Sequence, residues 1–191
     1  MARPKSDDKR QAIIAAAIQV FAENGLSATP TSAISKAAGV AEGTLFTYFS
    51  TKNELINALY RSFKVELAEL LMSDFPREKD VRSKLQHLWD AYVSWGVAHP
   101  QKLKVMMLLR VSEALTAESK AIGYEPFAEV EQMARDSIAQ QVLRDQPVEF
   151  LAAVMGNLAE TTMAFMVNDA KAADTYRQAG FEMLWRGVAQ H

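Results

Sequence analysis

The sequence predicts an all-α protein, and three observations predict it. Apolar residues recur three and four positions apart through most segments, the spacing that puts them on one face of a helix. The 191 residues contain no convincing alternating strand pattern, repeat or low-complexity linker. Glycine, proline and short polar clusters punctuate the helical patterns at helix-length intervals. Together these describe a small N-terminal three-helix domain with a helix-turn-helix, a linking helix, and a larger α-helical body.

Taken in order, Arg3-Pro4-Lys5 is a basic tail able to follow a phosphate backbone or reach a minor groove; the plainer reading is a solvated terminus. Ser6 is placed to cap a first helix whose opening turn carries Asp7 and Asp8, acids suited to the positive end of the helix dipole. Ile13, Ile14, Ala17, Val20 and Phe21 give it one apolar face, and Asn24-Gly25 ends it. Thr31 and Ser32 offer caps to a short second helix with Ile34, Ala37 and Ala38 inward. Gly39-Val40 suits a tight turn, because glycine enters left-handed conformations at little cost. A third helix then runs from Ala41 to about Phe49, with Val40, Leu45 and Phe49 facing inward and Glu42, Gly43, Thr44, Thr47 and Tyr48 outward. Small hydrogen-bonding groups on that outer face suit approach to a duplex, with the later helix entering the major groove.

Thr51-x-x-Glu54 is a capping-box pattern and opens a long helix through Leu55, Leu59, Phe63, Leu67 and Leu70 to about Ser73, broken by Phe75-Pro76. With domains divided as 1–51 and 52–191, this helix is the only covalent link between head and body. The body continues with helices from Asp80 to His99, carrying an aromatic stripe that includes Trp89, Tyr92 and Trp95, and from Gln101 to Glu113. Thr116-x-x-Ser119 opens a polar turn interrupted by Gly123 and Pro126. Further helices are expected from Phe127 to Arg144, Val148 to Asn168 and Ala172 to about Val188. Met106, Met107, Met133, Met155, Met163 and Met166 can line an adaptable apolar cavity or simply fill core.

Composition excludes several functions. The absence of cysteine removes disulfides, thiol catalysis and thiolate metal sites. His87 and His99 lack neighbouring carboxylates at metal-site spacing, so no metal and no cofactor is assigned. No Gly-x-Ser-x-Gly elbow, phosphate loop, dinucleotide fingerprint or His-Glu-x-x-His occurs, which argues against an enzyme. No uninterrupted apolar run approaches the ~20 residues of a membrane span, and no apolar signal segment follows the charged start, so the expected location is cytoplasmic, without a membrane partner. The net charge of −2 conceals a split. Through Asn53 six basic residues face four acids, and beyond it fifteen face nineteen, a +2 head on a −4 body. An acidic body also fits a binding module acting through protein partners, the alternative to DNA binding.

The wording of the central stretch, Ala-Gly-Val-Ala-Glu-Gly-Thr-Leu-Phe-Thr-Tyr-Phe-Ser-Thr-Lys-Asn-Glu-Leu from Ala38 to Leu55, resembles the signature of TetR-family transcriptional regulators. A Gly-Val turn, a Gly-Thr-Leu-aromatic segment, Tyr-Phe and Lys-x-x-Leu carry it. The opening Met-Ala-Arg-Pro-Lys, Trp-Gly-x-x-His-Pro at Trp95 to Pro100 and Ala-Glu-Thr-Thr-Met at Ala159 to Met163 resemble the multidrug-responsive RamR branch. The resemblance implies a homodimeric, ligand-responsive repressor on double-stranded operator DNA, with 1–51 binding DNA and 52–191 binding effector and dimerising through the last two long helices. It implies phosphate contacts from Thr31, Ser32, Thr44, Tyr48 and Lys52, with the tail residues Arg3 and Lys5 added, and base contacts from Glu42, Gly43 and Thr47. Glu42 can accept from a cytosine amino group or act by repelling phosphate. For a small apolar or amphipathic effector, cationic ones included, the candidates are Tyr60, Trp89, Phe127, Ser137 and Met155; Glu160 is either a counter-charge or a buried interface acid.

Overall fold

The computed structural model describes residues 5–190. Its helices are α1 (Lys5–Asn24), α2 (Thr31–Ala37), α3 (Glu42–Tyr48), α4 (Lys52–Met72), α5 (Val81–Ala98), α6 (Pro100–Arg110), α7 (Ala117–Tyr124), α8 (Ala128–Ala139), α9 (Val148–Asn168) and α10 (Ala173–Val188). Among the described residues no strand forms; Leu143 and Ala189 make an isolated antiparallel bridge. The all-α expectation holds.

Two compact units share the chain. The first gathers the chain through Val65 together with Pro100–Tyr124; the second gathers Glu66–His99 and the chain from Glu125 onward. The expected boundary at 51/52 thus falls inside the first unit. The chain passes from one unit to the other at 65/66, 99/100 and 124/125, so α4 is one of three covalent passages between them.

In the first unit α1 packs against α2 and α6, and α2 against α3. Ile13, Ala17, Phe21, Ile34, Leu45, Leu55, Leu59, Val105 and Leu109 are all sealed from solvent there. Burial on this scale is the main stabilising term for helices as short as α2 and α3, which would not persist alone. In the second unit α9 packs on α10 and α5 around Trp89, Val93, Ala159, Met163 and Phe181. Gly180 is required at that crossing: a Cβ there would press into the Thr162 hydroxyl and lie 2.7 Å from Trp89 Cζ2.

Several local expectations need correction. The first helix already includes Lys5, where the described residues begin, so Ser6 lies inside it rather than capping it. Pro30 is the N-cap of α2, and neither Thr31 nor Ser32 caps it. The region expected as a polar turn becomes α7, whose start is held by the Ser119 amide donating to Thr116 Oγ1 at 3.1 Å. The expected helix from Phe127 to Arg144 stops at Ala139: Gln141 adopts φ 59°, and the amides of Val142 and Leu143 both turn back to the Ser137 carbonyl. Helical periodicity at Val142 is coincidental, because the segment continues as the bridge to Ala189. Finally, α9 is long and apolar enough by length and composition to cross a membrane, with only 22% of its most apolar window buried. Glu149, Asn157 and Glu160 interrupt its apolar run, so the expectation of no uninterrupted span is unchanged.

Candidate nucleic-acid interface

Gly39 sets the geometry of the reader. At φ 66° it adopts the left-handed conformation expected of it, donating to the Lys36 carbonyl while Val40 donates to that of Ser35. Ser35 is buried and donates its hydroxyl to the Ser32 carbonyl at 3.1 Å. Leu45 and Phe49 then pin α3 from below, and the Arg10 guanidinium lies 5.5 Å from the Phe49 ring centroid. With those two anchors inward, Glu42, Gly43 and Thr47 are exposed, and Thr44 and Tyr48 half-buried at the flanks.

Particular groups are already engaged. Thr31 Oγ1 donates to Glu42 Oε1 at 2.7 Å, joining α2 to α3. Thr47 donates its hydroxyl to the Gly43 carbonyl at 3.0 Å, leaving that oxygen as an acceptor only. Space around Gly43 is open, with nothing within 4 Å of a Cβ placed there. Ser32 is exposed on α2. Lys52 Nζ donates to the Ser27 carbonyl at 3.1 Å, and partial burial lowers its pKa. Arg3 lies outside the described residues, as does the side chain of Lys5, whose backbone opens α1. Phe46 was not among the expected outward residues, yet it is 43% exposed on α3. Its position directly after the buried Leu45 was the available signal.

The base of α4 is tied to the reader by its cap. The Glu54 amide donates to Thr51 Oγ1 at 3.0 Å, and Glu54 Oε2 accepts from both the amide and the hydroxyl of Ser50 at 2.6 Å. The carboxylate thus reaches one residue beyond a standard capping box, and these two hydrogen bonds hold its pKa below the ordinary value.

Residues 13–59, which span this construction, match the bacterial regulatory proteins of the tetR family. In this head the chain is similar to the tetR regulators. The fatty acid metabolism regulator protein of Bacillus subtilis (strain 168) is 35% identical over 77 residues, 40% of this chain and 40% of that relative. The shared segment therefore spans well under half of either protein. Among solved structures, a tetR-family transcription regulator from Shewanella sp. PV-4 superposes with a TM-score of 0.87 at 25% identity, covering 96% of this chain and 99% of that one. The transcriptional regulator FadR from Bacillus subtilis, solved with stearoyl-CoA, gives 0.72 at 20% identity over 94% and 99% of the two chains, a likeness of fold.

The effector candidates are divided between the units. Tyr60 lies in the first, and Trp89, Phe127, Ser137 and Met155 in the second. Tyr60 is buried, with a Gly123 Cβ position only 2.6 Å from its Cε1, and burial together with Tyr124 pushes its pKa up to about 12. Lys64 lies 4.5 Å from the Tyr124 ring centroid and 5.8 Å from that of Tyr60; burial and the charge of Arg110 lower its pKa. Trp89 is fully buried and donates its indole N–H to the Arg177 carbonyl at 3.0 Å. Ser137 is buried and donates to the Met133 carbonyl at 2.7 Å, while Phe127 and Met155 remain partly open. Of the six methionines noted above, Met106, Met163 and Met166 are buried and Met107 is exposed.

Sequence reasoning passed over Asn57, one more polar residue on a helix until the structure buries it. Its Nδ2 donates to the carbonyls of Asn53 and Ala114 at 2.8 and 2.7 Å, and its Oδ1 accepts from the Thr116 amide at 3.0 Å. Four residues on, Arg61 Nη1 donates to the buried Ser119 hydroxyl at 2.5 Å. Within the first unit these bonds fasten α4 to the start of α7.

Proposed function

We propose that the protein is a homodimeric transcriptional repressor that occupies an inverted-repeat operator and is released by a small apolar or amphipathic effector. The observation carrying this reading is α3, seated on Leu45 and Phe49 with Glu42, Gly43 and Thr47 turned outward. So short a reader addresses only a few base pairs, so two copies are needed, with half-sites about one helical turn, roughly 34 Å, apart or at a related spacing. The dimer surface is assigned to α9 and α10, where Phe150, Phe165, Val167 and Met183 are more than half exposed and Ala152 and Ala153 permit close approach.

Functionally, residues 1–51 are assigned to DNA binding and 52–191 to effector binding and dimerisation. Ser32, Thr44, Tyr48 and Lys52 anchor phosphates, and Phe46 adds an apolar surface suited to a thymine methyl group. Phe127 and Met155 are the open effector contacts; Tyr60, Trp89 and Ser137 become contacts only if ligand displaces their present neighbours. Because FadR was solved with stearoyl-CoA, long-chain acyl thioesters join apolar cations as probes. An effector preferring the DNA-incompetent arrangement by about 1–3 kcal/mol lowers operator affinity roughly 5- to 150-fold.

Selection of bound duplexes from a genomic library, repeated with each probe class, tests the reading. Enrichment of an inverted repeat that one class abolishes is the expected result. No enrichment above nonspecific background favours a protein-partner module instead, and affinity unchanged by every probe removes the ligand-responsive part.

A further inference from the structure

The hydrogen bond between Thr31 and Glu42 makes a demand that a row of independent DNA contacts would not. A threonine hydroxyl has one proton to donate. In this structure that proton goes to Glu42 Oε1 across 2.7 Å. While it does, Thr31 has none for a phosphate oxygen, which can only accept. The two roles exclude each other.

Glu42 gains more from the bond than Thr31 does. It is exposed in the first turn of α3, where an unheld carboxylate would sample several rotamers and lose that freedom on binding. Threonine is β-branched and half-buried at the start of α2, so its hydroxyl is a stiff tether. One carboxylate oxygen is thereby fixed and the other left free to accept. In a major groove the complementary donors are the amino groups of cytosine and adenine. Against a phosphate or a base edge bearing only acceptors, the same oxygen is repelled, and that difference is what produces selectivity.

Resting on the operator-binding reading above, we propose that Thr31 is a positioning residue for Glu42, and that the pair acts as one specificity element rather than as a phosphate anchor beside a separate base contact. Thr31 makes its contribution through the direction of the Glu42 carboxylate. Losing it flattens base preference at one position of each half-site and leaves the affinity for unrelated sequence unchanged.

The test is selection of bound duplexes with the full-length wild type, Thr31→Val, Thr31→Ser and Glu42→Gln, alongside titration of an unrelated duplex. Wild type and Thr31→Ser are expected to share a preference for an amino-bearing base at one position per half-site. Thr31→Val, close in shape but without a donor, should reduce that preference about 5- to 10-fold, the lower part of the range for a base contact. Glu42→Gln should change which base is preferred there. A Thr31→Val protein that loses affinity equally on every duplex identifies a phosphate anchor and overturns the proposal, as does an unaltered preference in Glu42→Gln. Failure of the wild type to enrich any sequence would instead remove the operator reading and this element with it, so the two failures are separable.

Discussion

Helices α3 and α9 both leave much of their surface in solvent, but with opposite chemistry. On α3 the exposed positions are chiefly Glu42, Gly43 and Thr47, with Phe46 as the exception. On α9 they include Phe150, Phe165 and Val167, each more than half exposed. Small polar groups lose little by remaining wet and can exchange water for phosphate or base edges, whereas each half-exposed apolar side chain gains about 1 kcal/mol on being covered. The comparison teaches that α3 loses little by staying wet while α9 gains by being covered, which is why the proposal gives the first to DNA and the second to the partner copy.

The strongest way to break this comparison is to charge the apolar face. Phe150→Asp with Phe165→Asp is expected to yield monomers in sedimentation velocity and to weaken operator binding at least about 100-fold, since two half-sites are no longer engaged together. Monomers that retain full affinity would sever the link between the two helices. Next in size is Gly180→Val, which drives a side chain into Thr162 and Trp89. Overpacking of this kind should cost about 2–3 kcal/mol in urea unfolding, with the far-UV spectrum retained.

On the polar side, Tyr48→Ala with Lys52→Ala should weaken all duplexes by about tenfold and make binding less salt-dependent, while sedimentation still reports dimers. Loss confined to one sequence would mean that these residues read bases. The smallest expected effect is at the joint below α3. Thr51→Ala removes the side-chain acceptor for the Glu54 amide and should cost about 1 kcal/mol in thermal unfolding. Glu54 adds a pH signature: its pKa is depressed in the folded protein, so its contribution is complete above the unfolded value and lost as pH falls through the lowered one. Stability curves of wild type and Glu54→Gln should converge on acidification; a constant gap across that range would exclude the carboxylate as the source.

How much was legible in the chain depends on whether the cause was local. Gly39 as a left-handed turn, Gly25 as a helix stop, Thr51 as a cap and the inward aim of Leu45 and Phe49 all follow from conformational preference and helical period. The end of α8 did not, because Val142 keeps a helical spacing while the Leu143 bridge to Ala189 draws the chain elsewhere. Thr31 and Ser32 looked like caps by residue type, yet Pro30 takes the cap position and the Thr31 hydroxyl finds a partner eleven residues away. Trp89 looked like a stacking surface for a ligand, and that surface meets α10 at Gly180.

By itself, then, the sequence determined that this protein is all-helical, that a glycine turn joins two short helices near its start, and that Leu45 and Phe49 anchor the second helix inward. These depend on interactions within a few residues, whose energies hardly vary with context. Only the tertiary structure decided that Thr31 is spent on Glu42, that Asn57 fastens α4 to the Ala114–Thr116 segment, and that α9 remains largely uncovered. Each of those outcomes requires groups far apart in the chain to compete for one proton, one carbonyl or one apolar surface, and that competition is settled only when the helices pack.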